Sequence, residues 1–273
     1  MLFAVIPLMT WVSTTLVALV CLRSGVVAGL QVMLVGLVAL FLGLNFYNQD
    51  SHALLNAAII FIPVYMASVV LRLTASWRIT LMAMMLAFGV FALMLQLWFP
   101  EWILQQFEVF KLMMNALLSD NPEAKTLLNA ADNQIRFANY LLSLKLFSVT
   151  ISILASLMLA RWLQSLVYYP SGFQNEMKSF RAGQIESLVF LLTIAGVYSG
   201  VNFAINLVLV MSVYFLLAGL SVGRLLLSNL KPKLALIVLI IPVIALPYIM
   251  GPFYAALGIF DGITNISKKI RGA

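Results

Sequence analysis

Apolar residues fill this chain in seven blocks, each about as long as a helix that crosses a lipid bilayer. Leu2–Leu22, Ser24–Asn48, Ala53–Leu71 and Ile79–Pro100 follow one another almost without pause. Tyr140–Ala160 is a fifth, interrupted only by Lys145, and Ser187–Gly223 and Leu234–Phe260 complete the set. A hydrocarbon core about 30 Å thick needs about 20 apolar residues of helix. The blocks are continuous rather than alternating, which selects helices over a membrane barrel. The pattern therefore predicts an all-α fold: a polytopic transmembrane helical bundle forming one integral membrane domain over residues 1–273. The first block has no basic start, and Cys21-Leu22-Arg23 is a poor signal-cleavage site, so it is read as a retained span.

The span count turns on Ser187–Gly223. Its 37 residues would stretch about 55 Å as one helix, and Tyr198-Ser199-Gly200-Val201-Asn202 offers a break. Two crossings there make eight spans; one broken crossing makes seven. Pro242, Pro247 and Pro252 interrupt the last block, which predicts a kinked or partly unwound helix. Glu101–Ser119 is amphipathic instead. Glu101, Gln105, Glu108, Lys111, Asn115 and Ser119 recur at helical steps. With Trp98 and Trp102 at the interface, this predicts a helix lying on the membrane surface, or a lid over a substrate path. Asn121-Pro122 ends it, and Glu123–Phe137 is expected to form a second short helix.

Composition excludes an ordinary soluble domain: 63% hydrophobic, 9% charged, mean hydropathy +1.06. The net charge of +7 comes from Lys and Arg scattered through short loops and the tail, a membrane-orientation pattern rather than a nucleic-acid surface. Arg23 and the pair Arg72/Arg78 then lie in the cytoplasm, and residues 45–52 and 101–139 outside. Residues 161–186 become a cytoplasmic elbow and 261–273 a basic tail whose side stays open. One Cys (Cys21) and one His (His52) exclude an internal disulfide and a Cys/His metal site. No acid sits at the centre of a block, against an autonomous ion-coupled pump. There is no GxxxxGK[ST], no HExxH and no credible Ser/His/Asp set. The chain is expected to be neither an enzyme nor a cofactor carrier.

The candidate sites are sparse polar groups and small residues. Gly29, Gly36 and Gly43 recur every seven residues and form a bare stripe that lets another backbone approach, within the subunit or on a partner. Gly196/Gly200 and Gly219/Gly223 repeat the small-xxx-small spacing. Tyr198, Asn202 and Asn206 share one helix face, and Gln31 and Asn56 are isolated. These five are candidates for binding a small-molecule solute, or for bonding to neighbouring helices; Gln96 reads as structural. In the elbow, Arg161, Trp162, Gln164, Tyr169, Gly172 and Phe173 are candidates for docking a membrane or cytoplasmic protein. Pro170-Ser171-Gly172 makes its turn, and Phe173–Arg181 reads as a short surface helix.

The elbow, Ala160-Arg161-Trp162-Leu163-Gln164 followed by Tyr169-Pro170-Ser171-Gly172-Phe173, resembles the ARWWQ-like and NPGGF-like stretches of the YybS-like bacterial membrane proteins. Leu163 and Ser171 stand where that family has Trp and Gly. Leu16-Val17-Ala18-Leu19-Val20-Cys21-Leu22-Arg23-Ser24-Gly25 and Leu257-Gly258-Ile259-Phe260-Asp261 resemble it too. The resemblance implies a multi-pass protein of the bacterial inner membrane. It also implies a distant similarity to the solute-binding S components of energy-coupling-factor transporters, which borrow a separate ATPase module. The expected function is then a small-solute-binding, transporter-associated subunit acting with a partner. The alternative is a non-transporting scaffold or assembly factor of a membrane complex.

Overall fold

The computed structural model describes residues 2–46, 52–117, 134–168, 170 and 172–267. Among these are eleven helices and no strand. They are α1 (Leu2–Ser24), α2 (Val26–Phe46), α3 (His52–Thr74), α4 (Trp77–Trp98), α5 (Pro100–Leu117) and α6 (Gln134–Tyr168). Then come α7 (Gly172–Ser179), α8 (Gln184–Tyr198), α9 (Asn202–Leu226), α10 (Pro232–Ala245) and α11 (Pro247–Thr264).

The joints have local causes. Gly25, at φ +119°, separates α1 from α2, a backbone state open to glycine at no steric cost. Prolines open α5, α10 and α11, where a missing N–H costs nothing. Gly200, at φ +76°, closes α8. Its N–H donates to the Val197 carbonyl at 3.1 Å and that of Val201 to the Gly196 carbonyl at 2.9 Å. This is a Schellman ending, and it falls inside the Tyr198–Asn202 stretch expected to break.

Among the described residues, α4, α6 and α9 are long and apolar enough to cross a membrane. Taken as one broken span, α7 and α8 make a fourth. Three or four is fewer than the seven or eight expected from the blocks. Part of the difference is that two blocks are divided by breaks. Ser187–Gly223 splits at Gly200, and the last block splits at Leu246 into α10 of 14 residues and α11 of 18. The architecture is that of a helical membrane protein. Trp77 and Trp98 end α4, about 32 Å apart along its axis, close to a hydrocarbon thickness and with aromatic side chains at both limits. The 35 residues of α6 run about 52 Å, and the uncharged stretch between Lys145 and Arg161 takes up about 24 Å of it.

The chain divides into two compact units. One comprises Met1–Met84, Val149–Arg181 and Ser221–Leu236. In it α1, α2 and α3 pack together around Val17, Cys21, Met33, Phe61 and Tyr65. A Cβ on Gly29 would lie 2.6 Å from that of Cys21, so this glycine is where α1 and α2 approach. Arg72 Nη1 donates to the carbonyls of Cys21 (3.0 Å) and Leu22 (2.7 Å) at the end of α1, where the Cys21 carbonyl also accepts from the Gly25 N–H at 3.3 Å.

The other unit comprises Met85–Ser148, Ala182–Leu220 and Ile237–Ala273. Here helices touch backbone to backbone. A Cβ on Gly219 would overlap the Tyr254 carbonyl, and one on Gly258 the Phe215 carbonyl. Phe190 and Phe215 stack at 4.7 Å between α8 and α9.

Candidate functional site

The elbow is a polar assembly in the first unit. Arg161, in the last turns of α6, donates from Nε to both carboxylate oxygens of Glu176 (3.2 and 3.1 Å) and from Nη2 to Oε1. Its Nη1 donates to Gln164 Oε1 at 2.7 Å. Trp77 Nε1 donates to Glu176 Oε2 at 2.9 Å. The Trp77 ring meets Phe173 edge-on at 6.2 Å. From α9, Ser221 Oγ donates to the carbonyls of Met177 (3.0 Å) and Lys178 (3.2 Å) near the end of α7. Arg23 lies 4.9 Å over the Tyr168 ring.

This arrangement matters because α7 has only eight residues and none of them is buried. A helix that short is not stable alone, and it has no core face to hold it. Charge-assisted hydrogen bonds from Arg161, together with Trp77 and Ser221, fix it instead. The side chains of Gln174, Asn175 and Lys178 stay exposed on it.

Of the docking candidates, Arg161, Gln164 and Phe173 are thus engaged within the chain, while Trp162 is 44% exposed. Gly172 begins α7, and Tyr169 and Ser171 lie outside the described residues. Gly29 is buried against α1, and Gly36 faces Phe61 at an ordinary 3.6 Å. The surroundings of Gly43 in α2 lie outside the described residues.

The second unit holds a buried amide cluster. Asn139 Oδ1, in α6, accepts from Gln96 Nε2 of α4 and from Asn206 Nδ2 of α9, both at 2.9 Å. Asn139 Nδ2 donates to the Ile135 carbonyl at 2.8 Å. Asn206 is fully buried, and its Oδ1 has no hydrogen-bond partner among the described residues; the same holds for the buried Ser143 Oγ, one turn beyond Asn139. The cluster joins three helices through one acceptor.

The five solute candidates are not gathered by either unit. Gln31 is exposed on α2, and the side chain of Asn56 in α3 lies outside the described residues. In the second unit Tyr198 is 89% exposed, Asn202 is half-buried and Asn206 is in the amide cluster. Sequence reasoning missed Asn139, the hub, Glu176, the partner of Arg161, and Trp77, which donates to Glu176. The signal for Asn139 was its spacing of four from Ser143 at the mouth of an apolar block. For Glu176 it was an acid set between the bases Arg161 and Lys178 of the elbow. The expected helix Glu101–Ser119 is seen as α5. The expected helix Glu123–Phe137 lies mostly outside the described residues, as does the tail from Lys268.

Comparison with family models, curated proteins and solved structures finds no match.

Proposed function

We propose that the protein is a multi-pass subunit of the bacterial inner membrane that works by holding partner proteins. On this reading α1, α2, α3, α4, α6 and α9 each cross, α10 and α11 together form one further crossing, and α8 decides between seven and eight. The observation that carries the reading is the elbow: a surface helix with no buried residue, fixed from three other helices by Trp77, Arg161 and Ser221. Contacts of that number on an element with no core face present its outer side in one geometry. Rigidity of that kind lowers the entropic cost of binding. The positive-inside pattern puts this end in the cytoplasm. The YybS-like resemblance agrees, because its elbow stretch contains Arg161 and Gln164.

The test is purification in mild detergent of the wild type and of a variant changed only at exposed positions of α7, Gln174→Ala with Asn175→Ala. We expect a membrane partner at fixed stoichiometry with the wild type and its loss from the variant at unchanged melting temperature. Equal recovery from both defeats the reading.

One observation favours a second reading, an S-component-like solute-binding subunit. The buried Asn206 Oδ1, without a partner among the described residues, is an acceptor that a solute donor could meet. An ATPase module among the recovered partners, and a solute whose binding disappears in Asn206→Leu, would support it.

A further inference from the structure

The break between α10 and α11 stands in the uncharged block between Lys233 and Asp261, and residues 243–251 all belong to the second unit. An unbroken helix would pair the Val243 carbonyl with the N–H of residue 247 and the Ala245 carbonyl with that of residue 249. Residue 247 is proline and has no N–H. The N–H groups of Ile249 and Met250 both donate to the Leu246 carbonyl, at 3.1 and 2.9 Å. Two carbonyls thus lose their helical donors, and Leu246 caps α11 with no side-chain bond. Every residue from Ile244 to Ile249 is exposed, where a helix packed along one face would alternate. Tyr248 is 93% exposed, and a Cβ on Gly251 would meet nothing within 4 Å.

We propose that this break is the surface through which two copies of the chain associate in the membrane. The proposal rests on the reading that α10 and α11 together make one crossing. Acyl chains offer no hydrogen bonds, so backbone freed at that depth is tolerated only against protein or a water-filled cavity. The described residues leave this stretch uncovered. The patch is complementary to itself: it carries two freed acceptors and, in the Tyr248 hydroxyl, an exposed donor. Two copies related by a two-fold axis bring each hydroxyl to the other's carbonyls, and the open side of Gly251 lets the backbones approach. A helix with only apolar side chains supplies neither group.

The experiment is energy transfer between donor- and acceptor-labelled copies of the full chain in lipid vesicles, followed as added lipid dilutes them. The wild type should associate as a dimer, and Tyr248→Phe should weaken association about tenfold, because two interhelical hydrogen bonds are lost. Gly251→Leu should abolish association at an unchanged melting temperature, because the chain itself leaves that site open. In a Cys21→Ala background, a water-soluble maleimide added to both faces should leave Ile249→Cys unlabelled. Transfer no higher than that of freely mixed monomers overturns the proposal, and so does transfer that both substitutions leave unchanged. If Ile249→Cys stays unlabelled in either case, the crossing stands and the pairing alone falls. Rapid labelling of Ile249→Cys puts the break in water and overturns the pairing and the crossing together. Cross-linking of Ile249→Cys to a different protein in whole membranes, with none to a second copy, also overturns the pairing.

Discussion

The two units share a solvent and a helix type but differ in charge. Nine Lys and Arg against two acids, Asp50 and Glu176, give the first unit the whole net charge of +7. The second has seven of each sign and a net charge of zero. The difference is one of construction. The first unit uses its bases at helix ends: Arg72 on the carbonyls closing α1, Arg161 on Glu176, Arg224 on the Leu227 carbonyl at 3.2 Å. The second is held by bare backbone approach at Gly219 and Gly258 and by amides. The same apolar medium thus admits charge at its margins and only neutral hydrogen bonds or close packing within.

Breaking the second unit should have the largest effect. Gly219→Leu places a side chain where the Tyr254 carbonyl already lies, and relief requires α9 and α11 to part. A loss of at least about 3 kcal/mol is expected, read as a collapsed melting transition or aggregation on size exclusion in detergent. In the first unit, Glu176→Gln removes a charged acceptor shared by Arg161 and Trp77. It should cost about 2 kcal/mol, confined to the elbow. Hydrogen exchange of Gly172–Ser179 should accelerate while Phe190–Phe215 stays protected.

Asn206→Leu removes one amide bond to Asn139, so about 1 kcal/mol is expected. Asn139→Leu should cost more, because it strands both Gln96 and Asn206; equal melting temperatures for the two variants would remove Asn139 from the hub. Tyr198→Phe, at a position 89% exposed, should stay within about 0.5 kcal/mol.

Much of the helical framework was legible because lipid demands it. An unbroken apolar block has few other solutions, so α4, the apolar part of α6 and α9 were readable from hydropathy alone. The break at Gly200 and the amphipathic α5 were readable too, one from turn chemistry and the other from periodicity. The span count was less so. Pro247 divides the last block into two helices, and hydropathy alone does not say whether such a pair is one crossing. The polar sites were least legible. Asn206 was singled out by its residue type, but its partner lies 67 residues earlier. Nothing local to either residue encodes that pairing. Tyr198 shared the face of Asn202 by helical spacing, yet the glycine ending of α8 intervenes and leaves it exposed. Arg161 looked like a surface for others because its acid partner stood 15 residues away across a proline turn.

The packing of α1, α2 and α3 on one another, locked by Arg72, needs nothing encoded after residue 74. A ribosome has delivered every part of that trio before α4 begins to emerge. It is equipped to settle in the membrane during synthesis, whereas Trp77 must wait 99 residues for Glu176 to arrive. Nascent chains arrested once Thr74 has cleared the ribosome should already shield Cys21 from alkylation.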